Sequence, residues 1–301
     1  MSALTAAPSS AAQRPVPPDA ASSARPRPRR RPPRLRTTLC AAAAYLVALV
    51  FLLPYLEMVV TAARPADQLE SPGFLPTRFD WSNFTTLWST GLGANLGVSL
   101  QVAAGATALA LLVALPAAHY TARHRFRGRA AYLILVLVTQ MFQPTALLVG
   151  IYKEFLLAGL VNSVTALILV NAGFNLAFAT WILRAYFAAI PVELEEAAQV
   201  DGASRLGVLG RITLPLAWPG IVTALIFTFI AAWNEFAVAL ILTDTPSRQP
   251  LTVALDNYIG GYQIDWGHLF AASALATVPV IILFALIERK VVGGLTAGAV
   301  K

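Results

Sequence analysis

Four carboxylates fall within nine residues at Glu193, Glu195, Glu196 and Asp201, and the same stretch holds the small residues Ala197, Ala198 and Gly202. Carboxylates so close together can ligate a metal, transfer protons or make charged contacts. The first needs partners that the sequence does not offer. His119, His124 and His268 show no ligand spacing, and Cys40 is the lone cysteine, so neither a Cys-based metal cluster nor an internal disulfide framework is available. Acid–base catalysis in a membrane-embedded enzyme needs groups that converge near one membrane face, and the sparse His and acids form no such cluster. A phosphate-cradling loop needs a Gly before its Lys, yet Lys153, Lys290 and Lys301 follow Tyr152, Arg289 and Val300, so no nucleotide site is expected in this chain. Charged contact remains. Pro191 suits a first helical position, the three glutamates suit the positive end of a helix dipole, and Gly202 suits the left-handed turn that closes a helix. On such a helix Leu194, Ala197, Ala198 and Asp201 share one side, with small residues in the middle where a partner can come close. The plain alternative for the acids is a solvated first turn held by the dipole alone.

The elements that must position this stretch are apolar. The 301 residues are 57% hydrophobic and only 12% charged, with a mean hydropathy of +0.66, which excludes an ordinary water-soluble globule. Stretches at 39–60, 94–118, 130–152, within 155–183, 212–234 (apolar on to 243) and 269–287 are each long enough to cross a bilayer, which predicts an all-α integral membrane protein with six spans. The first stretch is too long for a secretory signal core and is read as retained. Residues 1–38 hold eight Pro and eight Arg and read as a disordered tail lying against anionic headgroups. Placing both termini in the cytoplasm puts 18 of the 22 Lys and Arg on that side. Topology thereby accounts for the net charge of +7, and nucleic-acid binding is not expected. Between spans four and five, 191–215 is too polar to span and too apolar to be disordered; it reads as two short helices, with Pro215 marking the turn into span five.

At this loop the chain resembles a known family. Glu196-Ala197-Ala198, three residues, Gly202, nine residues and Ile212-x-Leu214-Pro215 match the cytoplasmic EAA signature of permease subunits of binding-protein-dependent ABC importers. Four other segments look like the carbohydrate branch, its maltose-type second permease in particular: Ala122-Arg-His-Arg-Phe-Arg-Gly-Arg129, Thr139-Gln-Met-Phe-Gln-Pro144, Ala232-Trp-Asn-Glu-Phe236 and Gly294-Leu-Thr-Ala-Gly-Ala-Val-Lys301. The resemblance covers about 39–301 and leaves the tail outside. One departure stands at the start of span two, where such permeases usually show adjacent Asn-Ser; here Asn95 and Ser99 stand apart.

The resemblance implies a permease in the bacterial inner membrane whose loop docks in a cleft of a separate cytoplasmic ATPase through Glu196, Ala197, Ala198, Gly202, Ile212, Leu214 and Pro215. It further implies a second, related permease, two ATPase copies that use ATP, an extracytoplasmic sugar-binding protein and a carbohydrate cargo, with no cofactor or metal held by this chain. Polar groups inside apolar spans are costly in lipid and face a cavity or another helix. Trp233, Asn234, Glu235 and Asn175 are therefore candidates for the translocation path, since sugars suit aromatic faces with amide and carboxylate partners; interhelical hydrogen bonding at the permease interface is the competing reading. His119 and His124 read as solvated. The outer segments with Trp81, Trp88, Asp67, Glu70 and Asp80, and with Asp256, Tyr258, Tyr262 and Trp266, read either as interfacial anchors or as a docking surface for the binding protein. A self-sufficient secondary transporter or channel is the alternative function, but intramembrane charge pairs and symmetric broken helices are not visible in the sequence.

Overall fold

A computed structural model of the protein describes residues 34–69, 73, 75–260 and 264–297. The tail reading at 1–33, Glu70, Tyr262 and the final residues 298–301 lie outside the described residues. Helix α1, Arg34–Ala62, begins within the segment read as tail and continues through Pro54. The molecule divides into two compact units between Phe51 and Leu52. The described part of the first unit is the opening of α1, where Leu39, Tyr45 and Phe51 are all exposed. Large apolar side chains exposed along this stretch of helix suit a bilayer rather than water.

The second unit is helical too, and the isolated bridge between Ile259 and Ile264 is the one β-type pairing among its described residues. In chain order come α2 Ser82–Thr86, α3 Leu92–Arg123, α4 Arg129–Met141, α5 Pro144–Leu157 and α6 Val164–Ala189. The loop helices follow, α7 Val192–Val200, α8 Arg205–Val208 and, after a π-helical turn Leu209–Thr213, α9 Leu214–Leu216. The chain ends with α10 Trp218–Trp233, α11 Ala237–Leu242, α12 Leu251–Asp256 and α13 Trp266–Ala297. Among the described residues, four helices are long and apolar enough to cross a membrane, or six if each of two bent pairs counts as one span.

The first bent pair breaks the expected span at 130–152, while the second falls within two residues of the turn expected at Pro215. Helices α4 and α5 meet at 97°, because Pro144 has no N–H to continue a ladder and forces Gln143 into extended geometry. The α8–α9 segment meets α10 at 73°, and the break falls at Ala217, two residues beyond Pro215, ahead of the Trp218-Pro219 start of α10. A further interruption at 234–236 separates α10 from α11.

Helix α3 is the axis of the unit. Ala103, Ala106, Ala110, Ala114 and Ala118 recur every three or four residues, all fully or almost fully buried, and give α6 and α10 a smooth face to approach. A Cβ at Gly220 on α10 would collide with the root of the Tyr186 ring, so close helix approach requires glycine there, while one at Gly105 would lie 2.7 Å from the end of the Ile168 side chain on α6, which would have to move. Three buried clusters lie along α3, and it contributes to each.

Candidate functional site

The acid-rich loop leaves α6 at Ile190 and passes through Pro191, which is the N-cap of α7 rather than its first helical residue. The helix ends as its sequence suggests. Gly202 takes φ +88°, its N–H donates to Gln199 O at 3.0 Å and the Ala203 N–H donates to Ala198 O at 3.0 Å, a Schellman closure. No atom lies within 4 Å of a Cβ built at Gly202, so within this chain the glycine is needed for its dihedral and not for its size. The Ser204 hydroxyl then caps α8 by accepting from the Gly207 N–H at 3.2 Å. The π turn places Leu214 N–H on Leu209 O, and such turns recur at functional sites.

The three glutamates separate sharply. Glu193 and Glu196 are exposed, whereas Glu195 is only 7% exposed. Its Oε1 accepts from Arg123 Nε at 3.0 Å, Arg123 Nη2 at 2.8 Å and the Thr213 hydroxyl at 2.9 Å. Arg123 also donates through Nη1 to Ile190 O at 2.9 Å. The last residue of α3 thus grips the end of α6, the middle of α7 and, through the shared carboxylate, the π turn. Burial alone would raise the Glu195 carboxyl, but the Arg123 and Thr213 hydrogen bonds and the guanidinium charge outweigh it and hold the acid below its ordinary value. His119 corrects the solvated reading: it is half-buried, with Nε2 3.7 Å from Glu195 Oε1 and its ring edge-on to Phe187 at 5.4 Å. His124 stacks on Tyr120.

With Glu195 turned inward, the other side of α7 is open. Glu196 and Ala197 are exposed and Ala198 is half-buried, and the apolar Val200 and Leu206 are 87% and 81% exposed, with Leu194 also exposed. The rest of the signature points elsewhere. Leu214 packs against the buried cluster of α3, α6 and α10, Ile212 is half-buried and Pro215 is exposed.

The four candidate path residues are not brought together as one site. Trp233 is buried, donates from Nε1 to Ala276 O at 3.2 Å and stacks on Phe229 at 5.9 Å, so it bolts α10 to α13. Trp233 and the exposed Asn234 share the wall of a largely apolar cavity of about 630 Å³ with Tyr55, Met58, Thr252 and Thr277. Glu235 caps α11, its two oxygens accepting from the Val238 N–H at 2.8 Å and the Ala239 N–H at 3.1 Å. Asn175 donates to Asn171 O at 2.8 Å within its own helix.

Sequence reasoning set Asn95 and Ser99 aside, yet both are buried at the start of α3 and hold one strap. Asn95 donates to Pro246 O at 2.7 Å and Gln249 O at 2.8 Å, and the Ser99 hydroxyl accepts from the Leu251 N–H at 2.7 Å. Their spacing of four residues, one helical turn, was the available signal. Asn162, at φ +60°, adds its amide: Nδ2 donates to Thr245 Oγ1 at 2.7 Å and the Asn162 N–H donates to Leu242 O at 2.7 Å. Trp81, Trp88 and Trp266 are exposed, Tyr258 pairs with Thr90 at 2.9 Å and Asp67 pairs with Arg78 at 3.2 Å.

Comparison with known proteins agrees with this arrangement. Residues 106–294 match the family model described as binding-protein-dependent transport system inner membrane component. The chain is 35% identical to the permease protein of the diacetylchitobiose uptake system of Streptomyces coelicolor, over 86% of this chain and 95% of that one. It is 34% identical to the trehalose/maltose transport system permease of Thermococcus litoralis, over 89% and 98%. Among solved structures, a bacterial ABC transporter involved in alginate import shares the fold at a TM-score of 0.73 and 22% identity, over 85% of this chain and 96% of that chain. The chain belongs to the family of binding-protein-dependent transport system inner membrane components, the multi-pass permeases of ABC importers.

Proposed function

We propose that the chain is the membrane-spanning permease subunit of an ATP-driven importer for a carbohydrate. It crosses the inner membrane six times, each bent pair serving as one span, with both termini cytoplasmic. It forms the path with a second permease, receives cargo from an extracytoplasmic sugar-binding protein and is driven by two copies of a cytoplasmic ATPase that hydrolyse ATP. Relatives named for diacetylchitobiose and trehalose/maltose transport support the carbohydrate cargo, and the skew of cations toward one side supports the orientation.

The observation that carries the coupling role is the open face of α7 and α8. Val200 and Leu206 stand almost fully exposed beside Glu196 and Ala197, outside the apolar spans, while the back of α7 is fastened to the bundle. A short helix with apolar and charged groups on its free side suits a groove on a partner, and a rigid-body push on it is the movement that ATPase closure supplies. Within this reading Glu196, Ala197 and Ala198 contact the ATPase, Gly202 sets the turn that presents them, and Leu214 and Pro215 root the loop. Trp233 and Asn234 stay as solute contacts at the cavity wall, while Glu235 and Asn175 maintain helix geometry.

The test is gentle solubilisation of the tagged chain from its native membrane, with mass spectrometry of what accompanies it. The expected result is a Walker-motif ATPase and a second permease with the native chain, and loss of the ATPase from the Glu196→Lys form. A native chain that emerges alone and moves solute without ATP would make it a self-sufficient secondary transporter instead.

A further inference from the structure

The loop that carries α7 hangs from Ile190 and Ala217, and regular helix is interrupted at several points along it. Ile190 and Pro191 are extended, Gly202 is left-handed, and the return path runs through a π turn. A push on α7 would be absorbed at those points unless something bridged them. Arg123, Glu195 and Thr213 do so. The guanidinium reaches Ile190 O and Glu195 together, and the same carboxylate oxygen accepts from Thr213 at the far end of the loop. The Arg123 and Glu195 side chains are only 8% and 10% exposed. A buried ion pair is an inefficient way to add stability, because desolvation cancels most of the attraction, but few geometries satisfy it, so it fixes position well.

We propose that Glu195, Arg123 and Thr213 form a latch that makes the coupling loop, from Ile190 through the π turn at 209–213, move as one body with the end of α3. Glu195 and Thr213 are thus positioning residues for energy coupling, distinct from the exposed Glu196 face that meets the ATPase. The proposal rests on the importer reading above. Its partner is already in the chain: Arg123 belongs to the basic segment between spans two and three, and its charge is used within the protein.

The experiment uses the complete transporter in proteoliposomes, with solute uptake and ATP hydrolysis measured on the same preparation. In Glu195→Ala the uptake per ATP hydrolysed is expected to fall by about tenfold, within the range that single members of a coupling network command, while the ATPase still co-purifies. Thr213→Val removes one hydroxyl from a fully buried site with little change of shape, and its ratio is expected to fall by about threefold. Glu195→Gln keeps acceptor oxygen but not charge and is expected to lie between them. An unchanged ratio in Thr213→Val and Glu195→Gln overturns the latch, as does a Glu195→Ala form whose only defect is loss of the ATPase. Wild-type complex that fails to couple ATP to uptake refutes the importer reading itself, whereas coupled wild type with unaffected variants refutes the latch alone.

Discussion

Helix α3 is fastened to a loop at each end, and the two fastenings are built differently. At its last residue a single charged knot, Arg123 on Glu195, holds α7 by one buried carboxylate and leaves the opposite face of that helix open. Near its beginning, Asn95 and Ser99 hold the 246–251 strap by neutral bonds to three backbone groups, and Asn162 adds its own grip on 242–245. The 24 to 28 residues between Ser99 or Asn95 and Arg123 place the two fastenings about 36–42 Å apart at the rise of a regular helix. Neutral bonds spread over the backbone tolerate the loss of one member. A charged knot concentrates the attachment at one point, which suits a loop that must transmit force there and dock elsewhere.

That contrast predicts unequal consequences. Arg123→Ala leaves the Glu195 carboxylate with the Thr213 hydroxyl and the more distant His119 ring in a largely buried place, and losing one member of a buried pair costs about 3 kcal/mol. Peptide-resolved hydrogen exchange should show it as a loss of protection across 191–215, with 246–251 unaffected; equal loosening at both ends would erase the distinction. Asn95→Ala removes two neutral bonds and should cost about 2 kcal/mol, read as faster exchange confined to 246–251. Ser99 still accepts from Leu251 in that variant, so the strap should stay in place.

The same contrast governs what the sequence could disclose. The left-handed close at Gly202 was legible because a local turn requires it, and the apolar stretches were legible because the bilayer demands length. Which glutamate was buried was not legible. Glu195 and Glu196 are adjacent, and one step on a helix turns the side chain about 100°, so the signature alone does not say which side faces the protein. The partner that decides it, Arg123, lies 72 residues away and counts in the sequence simply as a cytoplasmic cation. Trp233, Asn234 and Glu235 show the opposite case, neighbours in sequence that part in space. Trp233 and Asn234 share the cavity wall, with Trp233 also bonded to α13, while Glu235 caps the next helix, because α10 stops at Trp233 and α11 begins only at Ala237. The turn into span five was marked by Pro215, two residues short of the break, whereas the bend at Pro144 was hidden by composition averaged over the span.

Acid should separate the two ends of α3 without any mutation. Glu195 is held below its ordinary carboxyl value in the folded protein, against a free Glu near about 4.3. A depressed folded value contributes stability that is fully present above the unfolded value and is lost as pH falls through the folded one. Protection of 191–215, corrected for the intrinsic exchange rate, should therefore show its carboxylate step only below about 4, separate from any loss at higher pH as His119, which burial holds below its ordinary value 3.7 Å from Glu195, takes up its proton. The strap at 246–251 has no carboxylate among the Asn95 and Ser99 bonds and should show no step there. In Arg123→Ala, burial is opposed by fewer favourable contacts, so the carboxyl rises and the loop step should move to higher pH. A step that stays put in that variant would mean that another charge, not Arg123, sets the ionisation of Glu195.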